Sequence, residues 1–197
     1  MLSTKAVGDL LSHNRDERLC RRWYLITPNG TLLAYSQPTN INDLRKQAAI
    51  AAICWQQHES RGSAGRLTGE YDEEIAEDAE QNPLHVLTIE SEDANVIMRR
   101  VQEHLLLVLE GGVPPRRNGF ERRITAEGVD GSQLRSHQGD GHTDVANPVK
   151  AEHDGSSVAA NVLRLQRTKM DALAAILRAD FEQTGFKMPD VGGATVF

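Results

Sequence analysis

Residues 29–58 read Asn-Gly-Thr-Leu-Leu-Ala-Tyr-Ser-Gln-Pro-Thr-Asn-Ile-Asn-Asp-Leu-Arg-Lys-Gln-Ala-Ala-Ile-Ala-Ala-Ile-Cys-Trp-Gln-Gln-His. Asn29-Gly30 is a two-residue hairpin signal, because both residues tolerate positive φ. It is flanked by two short runs, Trp23-Tyr24-Leu25-Ile26-Thr27 and Leu32-Leu33-Ala34-Tyr35-Ser36, both apolar or aromatic and strand-like. Pro38-Thr39-Asn40 breaks the second run. Asn40 is placed to cap a following helix, with Asp43 in its first turn, where a negative charge meets the helix dipole favourably.

Within that helix Ile41, Leu44, Ala48, Ala51 and Trp55 recur at alternating three- and four-residue steps. They form one seam with coiled-coil spacing. Ala49, Ala52 and Ile53 widen it, and the small residues would admit a close neighbour. Two readings fit this pattern: a core helix lying on its own sheet, or a helix that also pairs with a second helix.

Working outward, the 197 residues suffice for one domain with a substantial core, and 39% hydrophobic with 25% charged residues is a globular composition. No run of about 18 apolar residues offers a spanning helix. The first residues, Met1-Leu2-Ser3-Thr4-Lys5, lack the apolar stretch of a signal peptide, Leu2 excludes N-myristoylation, and Thr195-Val196-Phe197 is not a prenylation box. Membrane attachment is therefore expected only through partners. Cys20 and Cys54 make no disulfide framework and suit a reducing compartment.

The formal charge of −6 argues against general nucleic-acid binding. Residues 62–83 alone hold seven acidic side chains against Arg66, a surplus of six that equals the charge of the whole chain. Residues 61–83 read as an acidic loop, either solvated or docking a basic partner. Upstream, residues 3–14 suit a first helix with Val7, Leu10 and Leu11 on one face, weakened by Gly8.

Beyond the acidic loop, His85-Val86-Leu87-Thr88-Ile89 is a strand by its β-branched content, and Ser91-Glu92-Asp93 a turn. Residues 95–110 stay ambiguous. Val96, Ile97, Val101, Leu105 and Val108 fit a helical stripe, which periodicity favours slightly. Alternatively, 96–101 and 105–109 are two strands joined at Gln102-Glu103, the second covered on both faces. From Gly111-Gly112 to about residue 157 the chain is rich in Gly, Pro, Arg, Asp and His, and disorder is expected there. The basic cluster within it, Arg116, Arg117, Arg122 and Arg123, reads as linker or as a contact for phosphate or an acidic surface. Residues 158–184 form an amphipathic helix with Leu163, Met170, Leu173, Leu177 and Phe181 at helical steps, Leu165 and Ile176 alongside, and Gly185 as its stop. The last dozen residues read as a tail.

No catalytic constellation emerges. There is no phosphate-cradling glycine loop and no Gly-x-Ser-x-Gly elbow. Cys54 and His58, four apart on a helix, lack a second pair at ligand spacing. His137, His142 and His153, with Asp140, Asp144 and Asp154, lie in the segment expected to be disordered, where a metal site would first have to be ordered. The acidic run has no burial to shift its pKa values. No enzyme activity, cofactor or metal is expected.

With the two-strand option the order is helix, hairpin, helix, three strands, helix. That order, with Asn-Gly-Thr-Leu-Leu-Ala-Tyr-Ser before an Ala-rich helix ending in Ile53-Cys54-Trp55, resembles the roadblock / dynein light-chain family, and within it the roadblock subunits of Ragulator complexes (EGO in fungi). The resemblance covers residues 20–60, 84–112 and 158–184 and selects strands for 95–110. It implies an α+β sandwich: a five-stranded, mostly antiparallel sheet with the central helix on one face and the terminal helices on the other. Residues 1–197 would be one domain, interrupted by insertions at 61–83 and 112–157 where compact members have short connections. The resemblance also implies a non-catalytic dimerisation module. Leu44, Ala48, Ala51, Ala52 and Trp55 would face a partner helix, and Val86, Leu87 and Ile89 would lie in or near a shared sheet edge. The implied partners are a second roadblock-domain protein, a lipid-anchored wrapping subunit and Rag-type GTPases, at the cytoplasmic face of the lysosomal, vacuolar or late-endosomal membrane in TOR signalling. A dynein light chain, or a homodimer acting on a small Ras-like GTPase, is the alternative within the fold.

Overall fold

The computed structural model describes residues 3–64, 83–114, 122–134 and 155–189. Helix α1 spans Thr4–His13, and Ser3 caps it by accepting a hydrogen bond from the Ala6 amide. Strands β1 (Cys20–Ile26) and β2 (Leu32–Tyr35) form the expected hairpin. Its turn differs from the two-residue form. Pro28-Asn29 sit at the centre, the Gly30 amide donates to Thr27 O, and Gly30 takes up positive φ, at 88°. Proline fixes the φ that the first central turn position needs, which moves the turn one residue towards the N-terminus.

Helix α2 runs Ile41–Ala64, four residues into the segment read as acidic loop; residues 65–82 lie outside the described residues. Asn40 caps it as expected, with Oδ1 accepting from the Asn42 amide and Asp43 in the first turn. Strands β3 (Leu84–Glu90), β4 (Ala94–Gln102) and β5 (Leu105–Gly112) follow. The helical stripe over 95–110 is thus overturned. Glu103-His104 turn the chain, one residue beyond the expected corner. The run Leu105–Leu109 is buried throughout because Leu105, Leu107 and Leu109 enter one core cluster and Leu106 and Val108 the other. Burial on both faces erases the two-residue alternation that normally marks a strand.

The segment 112–157, expected to be disordered, contributes β6 (Arg123–Gly128) and β7 (Gln133–Leu134). Among the described residues the sheet has seven strands instead of five, in the order β2-β1-β5-β4-β3-β6-β7, with every neighbouring pair antiparallel. Helix α3, Gly155–Thr184, starts three residues earlier than expected. It stops at Gly185 (φ 64°), where the Phe186 amide reaches back to Phe181 O. The chain beyond is held at first. Gln102 bonds to both Phe186 O and the Met188 amide, and the Phe181 and Phe186 rings lie 5.2 Å apart.

Two cores result, one per sheet face. Helices α1 and α3 cover the face carrying Trp23, Leu25, Ile97, Leu105 and Leu107, through Val7, Leu11, Met170, Leu173, Leu177 and Phe181. Helix α2 covers the other, carrying Tyr24, Ile26, Leu87, Met98 and Leu106. Leu165 and Ile176, expected beside the apolar stripe of α3, point away from it and are each 51% exposed.

A polar latch crosses the first core. Buried Gln166 of α3 accepts from Asn95 Nδ2 (2.8 Å) and donates through Nε2 to Gly112 O (2.7 Å) and Leu19 O (2.9 Å). Gly111-Gly112 make this possible. A Cβ on Gly111 would lie 2.2 Å from Gln166 Nε2, and one on Gly112 would lie 1.9 Å from Arg18 O. These glycines, read from sequence as a stop, end β5 and clear the space that the latch occupies.

β6 is held lightly. It pairs with β3 at six positions, from Leu84↔Gly128 to Glu90↔Arg123. Its buried side chain is Ala126, supplemented by an ion pair from Glu127 to Arg167. β3 by contrast buries Leu84, Leu87 and Ile89 in one core and Val86 in the other. Replacing 113–154 by a short Gly/Ser linker is therefore expected to bare the β3 edge and to make the protein associate or aggregate through it, since an uncovered apolar edge templates pairing. Light scattering checks this; a monodisperse protein melting like the full chain would show that β6 contributes nothing.

Candidate interaction surface

α2 is tied to the sheet by side chains chosen for size and reach. Trp55 is fully buried, with the Arg100 guanidinium 5.4 Å from its ring centroid and Glu59 pairing that arginine. Gln47 accepts from Arg22 (2.8 Å), and Gln56 donates to Pro28 O (2.9 Å). The alanines admit the β1–β2 turn. A Cβ on Gly30 would lie 3.3 Å from Ala52 Cβ and 3.4 Å from Ala49 Cα.

Within the single chain, α2 turns its seam to its own sheet and turn. Leu44, Ala48, Ala51, Ala52 and Trp55 are 0–4% exposed and lie on the molecule's own sheet and turn. Alternating three- and four-residue spacing marks a buried seam without saying what buries it. Val86, Leu87 and Ile89 are likewise buried, and the β3 edge they flank is occupied by β6, with Val86↔Glu127, Leu87↔Ala126 and Ile89↔Ile124 as Cα partners. In this conformation no second sheet can join there.

What α2 turns outward is a different stripe. Asn42, Lys46, Ala49, Ile50, Ile53 and Gln57 are exposed on the opposite side of the helix, Ile50 by 59% and Ile53 by 54%. An apolar centre with a polar rim is the composition of a protein contact. The sequence pattern groups Ile53 with the inward stripe, and the structure turns it out. The signal that separates them is angular: Ile50 and Ile53 lie about half a helical turn from the Leu44–Trp55 seam.

The candidate chemical groups have structural roles. His58 Nδ1 lies 2.8 Å from Cys54 O, so the pair is joined through a backbone carbonyl and the thiol takes no part. Cys20 and Cys54 belong to cores on opposite faces of the sheet, and burial pushes the Cys20 thiol up to about 11. His104 lies in the β4–β5 turn. Burial, and then the guanidinium groups of Arg99, Arg178 and Arg100, hold His85 below its ordinary pKa; the neutral ring meets Arg178 Nη2 at 3.3 Å. Among the described residues no group of three or more His, Cys, Asp or Glu side chains could hold a metal, and no helix is long and apolar enough to cross a membrane. His137, His142 and His153, with Asp140, Asp144 and Asp154, lie outside the described residues, as do Arg116 and Arg117.

No family profile and no curated protein matches the sequence. Solved structures do match. A structure of Myxococcus xanthus MglB aligns at TM-score 0.53 and 14% identity, over 96% of this chain and 97% of that one. The gliding protein mglB of Thermus thermophilus aligns at 0.42 and 18% identity, over 57% and 76%. A roadblock/LC7 domain from Streptomyces avermitilis aligns at 0.41 and 11%, over 54% and 76%. The first alignment bears on the architecture: an antiparallel sheet between one helix and two, in the element order set out above. The chain has the α+β roadblock/LC7-type fold, of the kind seen in MglB.

Proposed function

We propose that this chain is a non-catalytic adaptor that pairs through the outward face of α2 with a second roadblock-type chain, and that the pair regulates a small Ras-like GTPase. The observation that carries the reading is the exposed Ile50–Ile53 stripe on the helix that covers one whole face of a roadblock-type sheet. The occupied β3 edge favours helix-to-helix pairing over a shared sheet. A stable contact of this kind buries on the order of 1,200–2,000 Å². The Ragulator setting suggested by resemblance, with a lipid-anchored wrapping subunit and Rag-type GTPases, is a narrower form of the same proposal.

The test is affinity purification of the chain from its own cells, with mass spectrometry of the retained proteins and GTP-hydrolysis assays on any GTPase among them. We expect a roadblock-type partner together with a GTPase whose nucleotide cycle the assembly alters. A lipidated subunit with Rag-type GTPases would support the scaffold form. One Ras-like GTPase with accelerated hydrolysis would support direct regulation. Stoichiometric metal that survives dialysis, or an assembly without any GTPase, would contradict the proposal.

A further inference from the structure

Apart from Val129, between β6 and β7, the other large exposed apolar side chains among the described residues lie on α3, on the opposite side of the sheet from α2. Val158, Leu165 and Ile176 are 48%, 51% and 51% exposed. With Ala172 and Ala179, also exposed, they form one stripe. Positions 158, 165, 172 and 179 recur every seven residues, and Ile176 lies one turn beyond Ala172. The opposite side of the helix, Gln166, Met170, Leu173, Ala174, Leu177 and Phe181, is already spent on the core. A helix of 30 residues is about 45 Å long. Such a seven-residue apolar repeat matches the spacing of a helix-on-helix contact.

We infer that α3 pairs with α3 of a second copy of this chain, antiparallel and centred on Ala172. The charges select this occupant and this direction. Arg164 and Glu182 are 18 residues apart, five whole turns, so they lie on one flank of the stripe. A two-fold axis across the crossing point lays each flank against its own reversed copy. Arg164, eight residues before the centre, then lies about 3 Å along the axis from Glu182 of the second copy, ten residues after it and within side-chain reach, and the reverse pair likewise. A parallel pair would instead lay this flank against the opposite flank of the second copy, and Arg164 and Glu182 would not meet. Within its own chain Arg164 makes a long bond of 3.4 Å to Asn161 Oδ1, which leaves it free to turn outward. The apolar stripe is complementary under the same operation. Leu165 meets Ala179 of the second copy, Ile176 meets Thr168, and Ala172 meets itself, so that a large side chain opposes a small one on either side of a centre of two alanines. A surface that matches itself under a two-fold axis is what a closed, isologous dimer requires.

The test uses the full chain carrying Ile53→Glu, in which the α2 face is blocked, and reads its mass by light scattering. We expect a dimer. Adding Ile176→Glu should give a monomer with unchanged circular dichroism. Arg164→Glu should weaken association about tenfold, since two facing pairs become repulsive, and combining it with Glu182→Arg should restore the affinity. A monomeric Ile53→Glu chain would overturn the inference. So would a dimer that survives both Ile53→Glu and Ile176→Glu, or a double charge swap that fails to restore affinity. The α2 reading fails separately: its failure appears as a native assembly whose composition Ile53→Glu leaves unchanged, with the dimer of the chain itself still lost on Ile176→Glu.

Discussion

Replacing Ala51 by glutamate is expected to lower the melting temperature by roughly 10–15 °C, whereas Ile53→Glu leaves it unchanged. The two positions are neighbours on α2, but Ala51 is 4% exposed in the core beneath the helix and Ile53 is 54% exposed above it. An unpaired carboxylate forced into that core costs about 3–5 kcal/mol, and each kcal/mol moves the midpoint of a chain this size by about 2–4 °C. Under the sequence reading, Ala51 faces a partner, so its substitution would separate a pair without unfolding either member. Thermal melts of the two variants decide between these orientations. Equal melting temperatures would return Ala51 to the surface.

Gly112→Ala is expected to destabilise by about 3 kcal/mol or more. The added methyl would sit 1.9 Å from Arg18 O, a backbone atom that moves only if the 16–20 segment moves with it. That segment is itself fixed by Asp16 and Cys20 bonding to each other through both backbone groups. Gly111→Ala should cost less by itself, because its neighbour is the Gln166 side chain. Displacing that amide nevertheless strands Asn95 in the core without its partner, and buried polar groups left unpaired cost about 1–3 kcal/mol each. The pair Gly111→Ala and Gln166→Ala should therefore be less damaging together than the sum of the single changes. Urea unfolding of the four proteins in this cycle measures it. Strict additivity would mean that the glycine and the glutamine do not share the space.

Much of the fold was legible because its chemistry is local. Asn40 before an apolar-periodic run, Gly30 between two apolar runs, and Gly185 after Thr184 each mark a boundary by what a single backbone position can adopt, although the turn is centred one residue earlier than Asn29-Gly30. The layered architecture followed from element order through resemblance. Three features were hidden, each for a non-local reason. The strands β4 and β5 carry apolar residues on both sides, so their period vanished and a helix fitted as well. β6 contributes one buried alanine, and its place is decided by β3, more than thirty residues earlier in the chain. The facing of α2 was undetermined because a seam of Leu44, Ala48, Ala51 and Trp55 suits a sheet and a helix equally. The outward Ile50 and Ile53 were visible in the sequence. They gained meaning only once the sheet had claimed the other side.

The most direct measurement is the mass and composition of the native assembly isolated through this chain, with and without Ile53→Glu. If α2 pairs through its outward face, the variant assembly loses one roadblock-type chain, whether a second copy or a distinct protein, while the variant itself stays folded. An assembly of unchanged mass and composition would contradict that account.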